Sequence, residues 1–262
     1  MPIEIFYQLG KWSEQNLKDL ILLMPNYSKS ELIAQGSSWL LTDKPNFKFR
    51  VDFLSKDSKI EWSQLGVHFI DKEVFSINDF SELSHLSYNL ISNFPSLLLT
   101  INYFVKNLIP LKADENLDVS LSDPNLPFTV FVSLPSNQEK DGYLRFAEGL
   151  IHEALHLQLT AIEKVHPLVY ENRLANNIYS PWKGEGRDTR GLLHAVYVFS
   201  SLYFFWESIH LQDKIEGKFA FNRCMEIKQQ IRQAGHLSKS KALTPLGLKF
   251  SKELLSLFNS EN

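Results

Sequence analysis

The sequence has a single cysteine, Cys224, among 262 residues. One cysteine cannot form an intramolecular disulfide, and it excludes a metal site built from CxxC pairs. The amino-terminal segment also lacks a basic stretch followed by a long apolar run, so we expect no secretory signal. These absences favour a reducing, cytoplasmic environment.

Long apolar runs and an excess of positive charge are missing as well. The two most apolar windows, residues 95–105 and 194–206, are shorter than the roughly 20 residues that span a bilayer, so we expect no membrane segment. The formal net charge is −3 and the pI is near 6.2. The chain therefore has no overall attraction to a phosphate backbone, and we expect no nucleic-acid partner.

The composition is that of a folded protein. Hydrophobic residues make up 44% of the chain and charged residues 22%, which excludes a disordered chain. The 19 Phe, 9 Tyr and 5 Trp predict a core or pocket rich in aromatic side chains. No internal repeat is present.

Local patterns predict mostly helices with a few strands. Ser28 with Glu31, and Ser76 with Asp79, have the spacing of helix N-caps. Helical periodicity predicts helices at residues 97–108, 143–165, 192–209, 213–234 and 246–258. Alternation or β-branched content predicts strands at residues 47–53 and 128–134, and polar composition predicts loops at 112–126 and 172–191.

The residues from His152 to His156, His-Glu-Ala-Leu-His, form the pattern HExxH inside a predicted helix. Residues four apart project from one helix face, so the two imidazoles are close enough to share a metal ion. Neutral imidazole binds Zn, Fe, Cu and Ni, so the pair predicts a metal site without naming the metal. The alternative is a structural helix whose two histidines are satisfied by hydrogen bonds.

Two imidazoles are too few, and a third protein ligand is needed. The downstream candidates are Glu163, His166, Glu171, His194 and Glu207. Glu171 would suit a gluzincin peptidase, but it follows His156 by only 15 residues and precedes a predicted helix exit. A metzincin is excluded, because Leu159 and Ile162 stand where its longer pattern requires Gly and His.

His194 is the preferred third ligand. It lies near the start of the most apolar predicted helix, among residues such as Leu193 and Val196. An imidazole in such surroundings is costly to bury without a partner, and a metal would supply one. The alternative is a core histidine bonded to a backbone carbonyl.

Residues 179–194, YSPWKGEGRDTRGLLH, resemble the HEXXH-motif domain family. That family has HExxH, then a segment of the form PWRxxPRPxxGxLHG, then an apolar helix ending in Trp, which Trp206 matches. The resemblance covers about residues 126–207, roughly a third of the chain. The chain departs from the pattern at Lys183, where Arg is usual, at Gly186 and Asp188, which replace prolines, and at Ala195, which replaces Gly.

The resemblance implies a non-haem iron, 2-oxoglutarate-dependent oxygenase that hydroxylates a side-chain β-carbon of a ribosomally made precursor peptide. Fe(II) would be held by three imidazoles, those of His152, His156 and His194, which leaves positions for 2-oxoglutarate and O2. The distal carboxylate of the keto acid needs a cation, and an Arg fork suits it best. The candidates are Arg187 first, then Arg190 and Lys183, which keeps the charge but loses the fork.

Glu153 is the catalytic candidate, but it does not separate the possible activities. In an HExxH zinc metallopeptidase it would polarise a metal-bound water, whereas in the oxygenase it would orient ligands or substrate. A third hypothesis is a catalytically inactive, peptide-binding scaffold in a modification pathway. The intact HExxH and His194 argue against it.

The predicted fold is α+β and mainly helical, with a small sheet beside the HExxH helix, as in a zincin-like core with helical additions. We expect a mainly helical region at residues 1–125 and an HExxH metal-binding catalytic region at residues 126–262, together in one compact unit. The strand at residues 47–53 is expected to be an ordinary sheet strand, with an edge for an extended peptide as the alternative.

Overall fold

The computed structural model describes residues 39–40, 46–63, 66–112, 118–123, 126–135, 139–173, 178–212 and 216–259. The described residues fall into two compact units, one up to Gln158 and one from Leu159 onward. The predicted division after residue 125 lies within the first unit, and a single compact arrangement of the two regions stays a prediction. The predicted N-cap at Ser28 and Glu31 lies outside the described residues.

The elements of the first unit are, in order, β1 (Trp39–Leu40), β2 (Arg50–Val51), α1 (Lys56–Ser63), α2 (Ile77–Ile91), α3 (Pro95–Phe104), β3 (Asn107–Lys112), β4 (Ser120–Ser122) and β5 (Thr129–Leu134). Helix α4 (Gly142–Val165) begins in this unit and ends in the second. The elements that follow α4 are a 3-10 helix (Glu171–Arg173), β6 (Ile178–Ser180), β7 (Glu185–Arg187), α5 (Thr189–His210), α6 (Gly217–Gln233), a 3-10 helix (Ala234–Lys239) and α7 (Pro245–Ser256). The predicted α+β class with mostly helix is confirmed.

The first unit contains a mixed five-stranded sheet in the order β1-β2-β3-β5-β4. Its inner pairs, β2 with β3 and β3 with β5, are parallel, and its outer pairs are antiparallel. The long central strands pair in register, for example Leu108 with Val130, and both are buried over nearly their whole length. This burial is typical of parallel strands covered on both faces.

Helix α4 packs closely against this sheet within the first unit. A Cβ atom added at Gly149 would lie 3.0 Å from Cγ1 of Val132 on β5, so the glycine permits the close approach. On the same helix, the Phe146 ring meets the Phe80 ring of α2 edge-on at 5.7 Å. The sheet therefore lies beside the helix that carries HExxH.

Several predicted elements are confirmed. Ser76 caps α2, where its Oγ accepts a hydrogen bond from the Asp79 amide at 3.3 Å. The predicted strand at 128–134 is β5, and the predicted helices at 143–165, 192–209, 213–234 and 246–258 correspond to α4, α5, α6 and α7.

Three other predictions need correction. The helix predicted at 97–108 ends at Phe104, and its last residues belong to strand β3, because a short buried apolar run suits a parallel strand as well as a helix. The loop predicted at 112–126 contains β4, and the loop predicted at 172–191 contains the antiparallel pair of β6 and β7 and the start of α5.

The alternating stretch at 47–53 contributes only the two residues of β2 to the sheet. Its apolar residues Phe47, Phe49, Val51 and Phe53 are nevertheless all buried. Strand β2 pairs with β1 on one side and with β3 on the other. It is therefore an ordinary inner strand and offers no edge to a peptide.

Helix α5 is longer than the apolar window that predicts it. Its 22 residues are long and apolar enough to cross a membrane by length and composition. The apolar window at 194–206 was too short to indicate this. However, 72% of its most apolar 18-residue window is buried inside the protein, as in the core helix of a soluble protein. The helix is therefore only weak evidence for a membrane.

Candidate metal centre

The two histidines of HExxH converge on one face of α4. His152 and His156 are both half-buried, with their Nε2 atoms 3.1 Å apart and their ring centroids 4.7 Å apart. Two nitrogens bound to one ion at about 2.1 Å lie about 3.0–3.4 Å apart, depending on the angle at the metal. The observed separation fits a shared metal ion, and it also fits a hydrogen bond between one protonated and one unprotonated nitrogen.

Glu153 is held on a different side of the helix by strand β4. Its side chain is almost fully buried, and its Oε1 accepts a hydrogen bond from Ser120 Oγ at 2.7 Å. The same oxygen lies 3.8 Å from Nε2 of His152. The carboxylate is therefore fixed in one orientation next to the histidine pair.

Ser120 is a contact that the sequence did not reveal. It lies 33 residues before Glu153, in a stretch predicted as a loop. Sequence spacing has no signal for such a pairing, because it depends on β4 joining the sheet beside α4.

His194 is buried as predicted, but its observed partner is a carboxylate. It lies on the second turn of α5, and its Nε2 is 2.9 Å from Oε2 of Glu163 near the end of α4. Among the described residues, no group of three His, Cys, Asp or Glu side chains lies close enough together to hold a metal ion. The structure thus joins His152 with His156 and His194 with Glu163, and one metal site for all three imidazoles stays a prediction.

The other candidates for a third ligand are Glu171, Glu207 and His166, and each lies in a different environment. Glu171 is exposed on a short 3-10 helix. Glu207 accepts a hydrogen bond from the hydroxyl of Tyr203 at 2.7 Å, and it lies more than three helical turns beyond His194 on α5. Burial lowers the pKa of His166, so this imidazole is more readily neutral than an exposed one.

The predicted cosubstrate cations lie in and after the β6–β7 hairpin. Lys183 is exposed in the turn, which closes through hydrogen bonds from the backbone amides of Lys183 and Gly184 to the Ser180 carbonyl and has φ +68° at Gly184. Arg187 is half-buried at the end of β7. Arg190 is half-buried in the first turn of α5, with its Nε 3.4 Å from the Glu163 carboxylate.

Gly191 makes room for the Arg187 side chain. A Cβ atom added at Gly191 would lie 2.2 Å from Nε and 2.9 Å from Cδ of Arg187. Arg187 therefore crosses directly over the backbone of α5 at its amino terminus. Asp188 caps the same helix, because its Oδ1 accepts a hydrogen bond from the Gly191 amide at 2.7 Å.

The aromatic residues of this segment pack into the unit. Trp182 in the hairpin turn stacks on Phe199 of α5, with ring centroids 4.9 Å apart and planes within 10°. Tyr197 and Trp206 are fully buried, and Tyr197 packs against Phe250 of α7. Both side chains therefore belong to the core of this unit.

The comparisons leave the resemblance without independent support. No family model matches the chain, and no curated protein matches it.

Proposed function

We propose that the protein is an Fe(II)- and 2-oxoglutarate-dependent oxygenase that hydroxylates a side-chain β-carbon of a ribosomally made precursor peptide in the cytoplasm. His152, His156 and His194 hold the metal in this proposal. The observation that carries it is the convergence of the His152 and His156 Nε2 atoms to 3.1 Å on α4. The resemblance of residues 179–194 to the HEXXH-motif domain family supplies the reaction class.

Helical spacing supports His194 as the third ligand. Along α4, Glu163 follows His156 by seven residues, and two helical turns return a side chain to the same face. This spacing alone predicts that Glu163 projects from the face of α4 that presents His152 and His156. Its carboxylate is the group bonded to His194.

The surroundings of the three cations support Arg187 as the residue that binds the distal carboxylate of 2-oxoglutarate. Lys183 is exposed, so water weakens its attraction to an anion. Arg190 already faces the buried carboxylate of Glu163. Arg187 is half-buried across Gly191 and has the planar guanidinium that pairs with a carboxylate through two hydrogen bonds.

When bound, Fe(II) and 2-oxoglutarate supply the oxidation, in which one oxygen atom of O2 enters the peptide C–H bond and the other leaves in succinate after loss of CO2. The protein positions the reactants. The Ser120 hydrogen bond holds Glu153 in one orientation beside His152, which suits a residue that orients ligands or substrate. We further propose a zincin-like core, formed by α4 and the mixed sheet that packs on it at Gly149.

A zinc peptidase is the second candidate, and the position of Glu153 favours it. The carboxylate lies 3.8 Å from the His152 nitrogen that the metal would take. A carboxylate in this place can act as a general base toward a metal-bound water. The two candidates therefore share His152, Glu153 and His156 and differ in cosubstrate.

The test is anaerobic reconstitution of the full chain with Fe(II), followed by 2-oxoglutarate. We expect the weak visible absorption that the two give together. We also expect succinate release that needs Fe(II), O2 and 2-oxoglutarate together, with a gain of one oxygen atom on a peptide substrate. Peptide cleavage with Zn(II) and no cosubstrate would establish the peptidase instead, and failure to bind any metal would establish the scaffold.

Matched variants connect this test to the residues. Arg187→Ala is expected to raise the 2-oxoglutarate requirement at least tenfold, about 1.4 kcal/mol, with metal content intact. Lys183→Ala removes an exposed cation from the same hairpin and is expected to change the 2-oxoglutarate requirement little. His194→Ala is expected to lose metal at low metal concentration, whereas Glu171→Ala is not. The reverse result for this last pair would identify a gluzincin peptidase.

A further inference from the structure

Residues 118–120, which lead into strand β4, contact helix α4 at two places. Asp118 forms a two-bond ion pair with Arg145 near the start of the helix, with Oδ2 2.6 Å from Nε and Oδ1 2.7 Å from Nη2. Ser120 donates to Glu153, about two turns further along the helix. Side chains two apart in an extended segment point to the same side. One short segment therefore holds α4 at both positions.

The helix meets this segment with a single face. Arg145, Gly149 and Glu153 are spaced four apart, so they lie on the same side of α4. A Cβ atom added at Gly149 would lie 3.0 Å from Val132 Cγ1 and 3.9 Å from Ser120 Cβ. All of these residues belong to the first compact unit. The face that carries Glu153 is thus also the face that carries the ion pair and the close approach to the sheet.

Strand β4 is short and lies at the end of the sheet. It has three residues, and β5 is its one neighbour among the described strands. Just before it, the Val119 carbonyl accepts from the Ser133 amide of β5 at 2.8 Å. A short outer strand has few ladder bonds, so its side-chain contacts contribute to its position. A bidentate Arg–carboxylate pair suits this role, because two parallel hydrogen bonds fix both distance and angle.

We infer that the ion pair of Asp118 with Arg145 positions Glu153 for its role at the metal site. The pair holds the Ser120 hydroxyl in place to donate to Glu153, whose carboxylate lies 3.8 Å from Nε2 of His152. The inference rests on the proposed function, because it takes Glu153 as a residue that acts beside the metal. It applies to both candidate activities, since both use this carboxylate, and it does not depend on which residue is the third ligand.

The first measurement needs no metal. Exchange of the Ser120 hydroxyl proton with solvent can be followed by NMR of the serine Cβ signals in mixed light and heavy water, assigned with Ser120→Ala. We expect slow exchange in the wild type and exchange at least about tenfold faster in Asp118→Asn. The ion pair is partly exposed, with 22% and 39% of the two side chains accessible, so its loss is expected to leave the fold intact. Equal exchange rates in both proteins would overturn the inference.

The second measurement is the affinity of the full chain for Co(II), obtained by competition with a chromophoric chelator. Asp118→Asn is expected to weaken binding about 10-fold, and Glu153→Gln at least as much, the usual effect of disturbing residues that surround a metal. In the Glu153→Gln background, Asp118→Asn is expected to have no further effect, because the ion pair acts through this carboxylate. Equal losses in both backgrounds would show that the pair is merely structural.

Glu139→Gln is the matched control. Glu139 is the other acidic partner of Arg145, and its loss leaves the two bonds to Asp118. Hydroxyl exchange and Co(II) affinity are therefore expected to stay within about twofold of the wild type. The reversed pair, Asp118→Arg with Arg145→Asp, restores opposite charges and is expected to regain most of the Co(II) affinity.

His152→Ala separates the inference from the proposed function. If this variant loses Co(II) but Asp118→Asn binds as the wild type does, the inference is wrong and the metal site stands. If His152→Ala also binds as the wild type does, the HExxH pair is not the metal site, and the inference falls with the proposed function.

Discussion

Cys224, the one thiol of the chain, is buried on α6 and lies 3.7 Å from the Tyr203 carbonyl. Burial raises the pKa of this thiol to about 12. A thiol of this pKa has almost no thiolate at neutral pH, and the thiolate is the nucleophile. Cys224 is therefore structural rather than reactive.

We predict that Cys224 reacts with a disulfide reagent such as DTNB far more slowly in the native protein than in urea. Its rate should still be rising above pH 9, where an exposed thiol levels off. Because the folded pKa lies above the unfolded value of about 8.5, the thiol's contribution to stability is complete below that value and is lost as the pH rises toward 12. Rapid native labelling at pH 7 would contradict this.

A substitution at Gly191 tests cosubstrate binding without removing the charge of Arg187. Gly191→Ala places a methyl group where Arg187 Nε now lies, and the far end of a flexible side chain can move away. We expect the variant to fold with unchanged or slightly higher stability, since Ala is the better helix former, and to bind 2-oxoglutarate about tenfold more weakly. Calorimetric titration of the Fe(II) form measures this.

The double variant decides whether Arg187 transmits the effect of Gly191. In the Arg187→Ala background, Gly191→Ala is expected to leave 2-oxoglutarate affinity unchanged. Equal losses in both backgrounds would show that the glycine acts in another way.

At the scale of elements, the amino terminus of α7 is hydrogen-bonded to, and packs closely against, the segment that follows α4. Thr244 caps α7 by accepting from the Gly247 amide, and its hydroxyl donates to the Pro167 carbonyl at 2.9 Å. A Cβ atom added at Gly247 would lie 2.0 Å from the Leu168 carbonyl oxygen. The obstacle here is backbone, which cannot turn away as a side chain can.

We therefore predict that Gly247→Ala lowers the free energy of unfolding by about 1–3 kcal/mol or more. Gly235→Ala is the control, because nothing lies within 4 Å of its added Cβ, and it is expected to be neutral or stabilising by up to about 1 kcal/mol. Urea denaturation of both variants tests the pair. Equal stabilities would mean that α7 does not approach Leu168 as closely as described.

The elements also show what a sequence can predict. The helices α4 and α5 and strand β5 have strong local signals, either a long apolar period or a β-branched run, and their positions agree with the structure. Strands β3 and β4 and the β6–β7 hairpin do not. The apolar run of β3 suits a helix equally well, and β4 is a short polar strand that forms only because β5 lies beside it.

The same limit applies to the candidate site. The i, i+4 spacing predicted the convergence of His152 and His156, because both lie on one helix. The contacts of Glu153 with Ser120 and of His194 with Glu163 join residues that are 33 and 31 positions apart. No helical or strand period spans such distances, so only the tertiary structure reveals these partners.

For the whole molecule, we expect metal binding to raise thermal stability. A metal that binds only the folded chain, at 100 times its Kd, stabilises it by about 2.7 kcal/mol. For a chain of this size that corresponds to a rise in Tm of about 5–10 °C. The rise, measured by calorimetry with Zn(II) or Co(II), is expected to disappear in His152→Ala and His156→Ala.

His68→Ala is the control for metal bound at the surface, since His68 is exposed. It is expected to retain the full rise. The same rise in all of these variants would mean that the HExxH pair does not bind the metal.

The stack of Trp182 on Phe199 gives the hairpin an optical reporter. The indole lies five residues before Arg187, and its Nε1 is buried without a hydrogen-bond partner among the described residues. Its emission therefore depends on how closely the turn stays against α5. In a chain whose other four tryptophans are replaced by phenylalanine, fluorescence would show directly whether the hairpin opens and recloses when an anion arrives beside it.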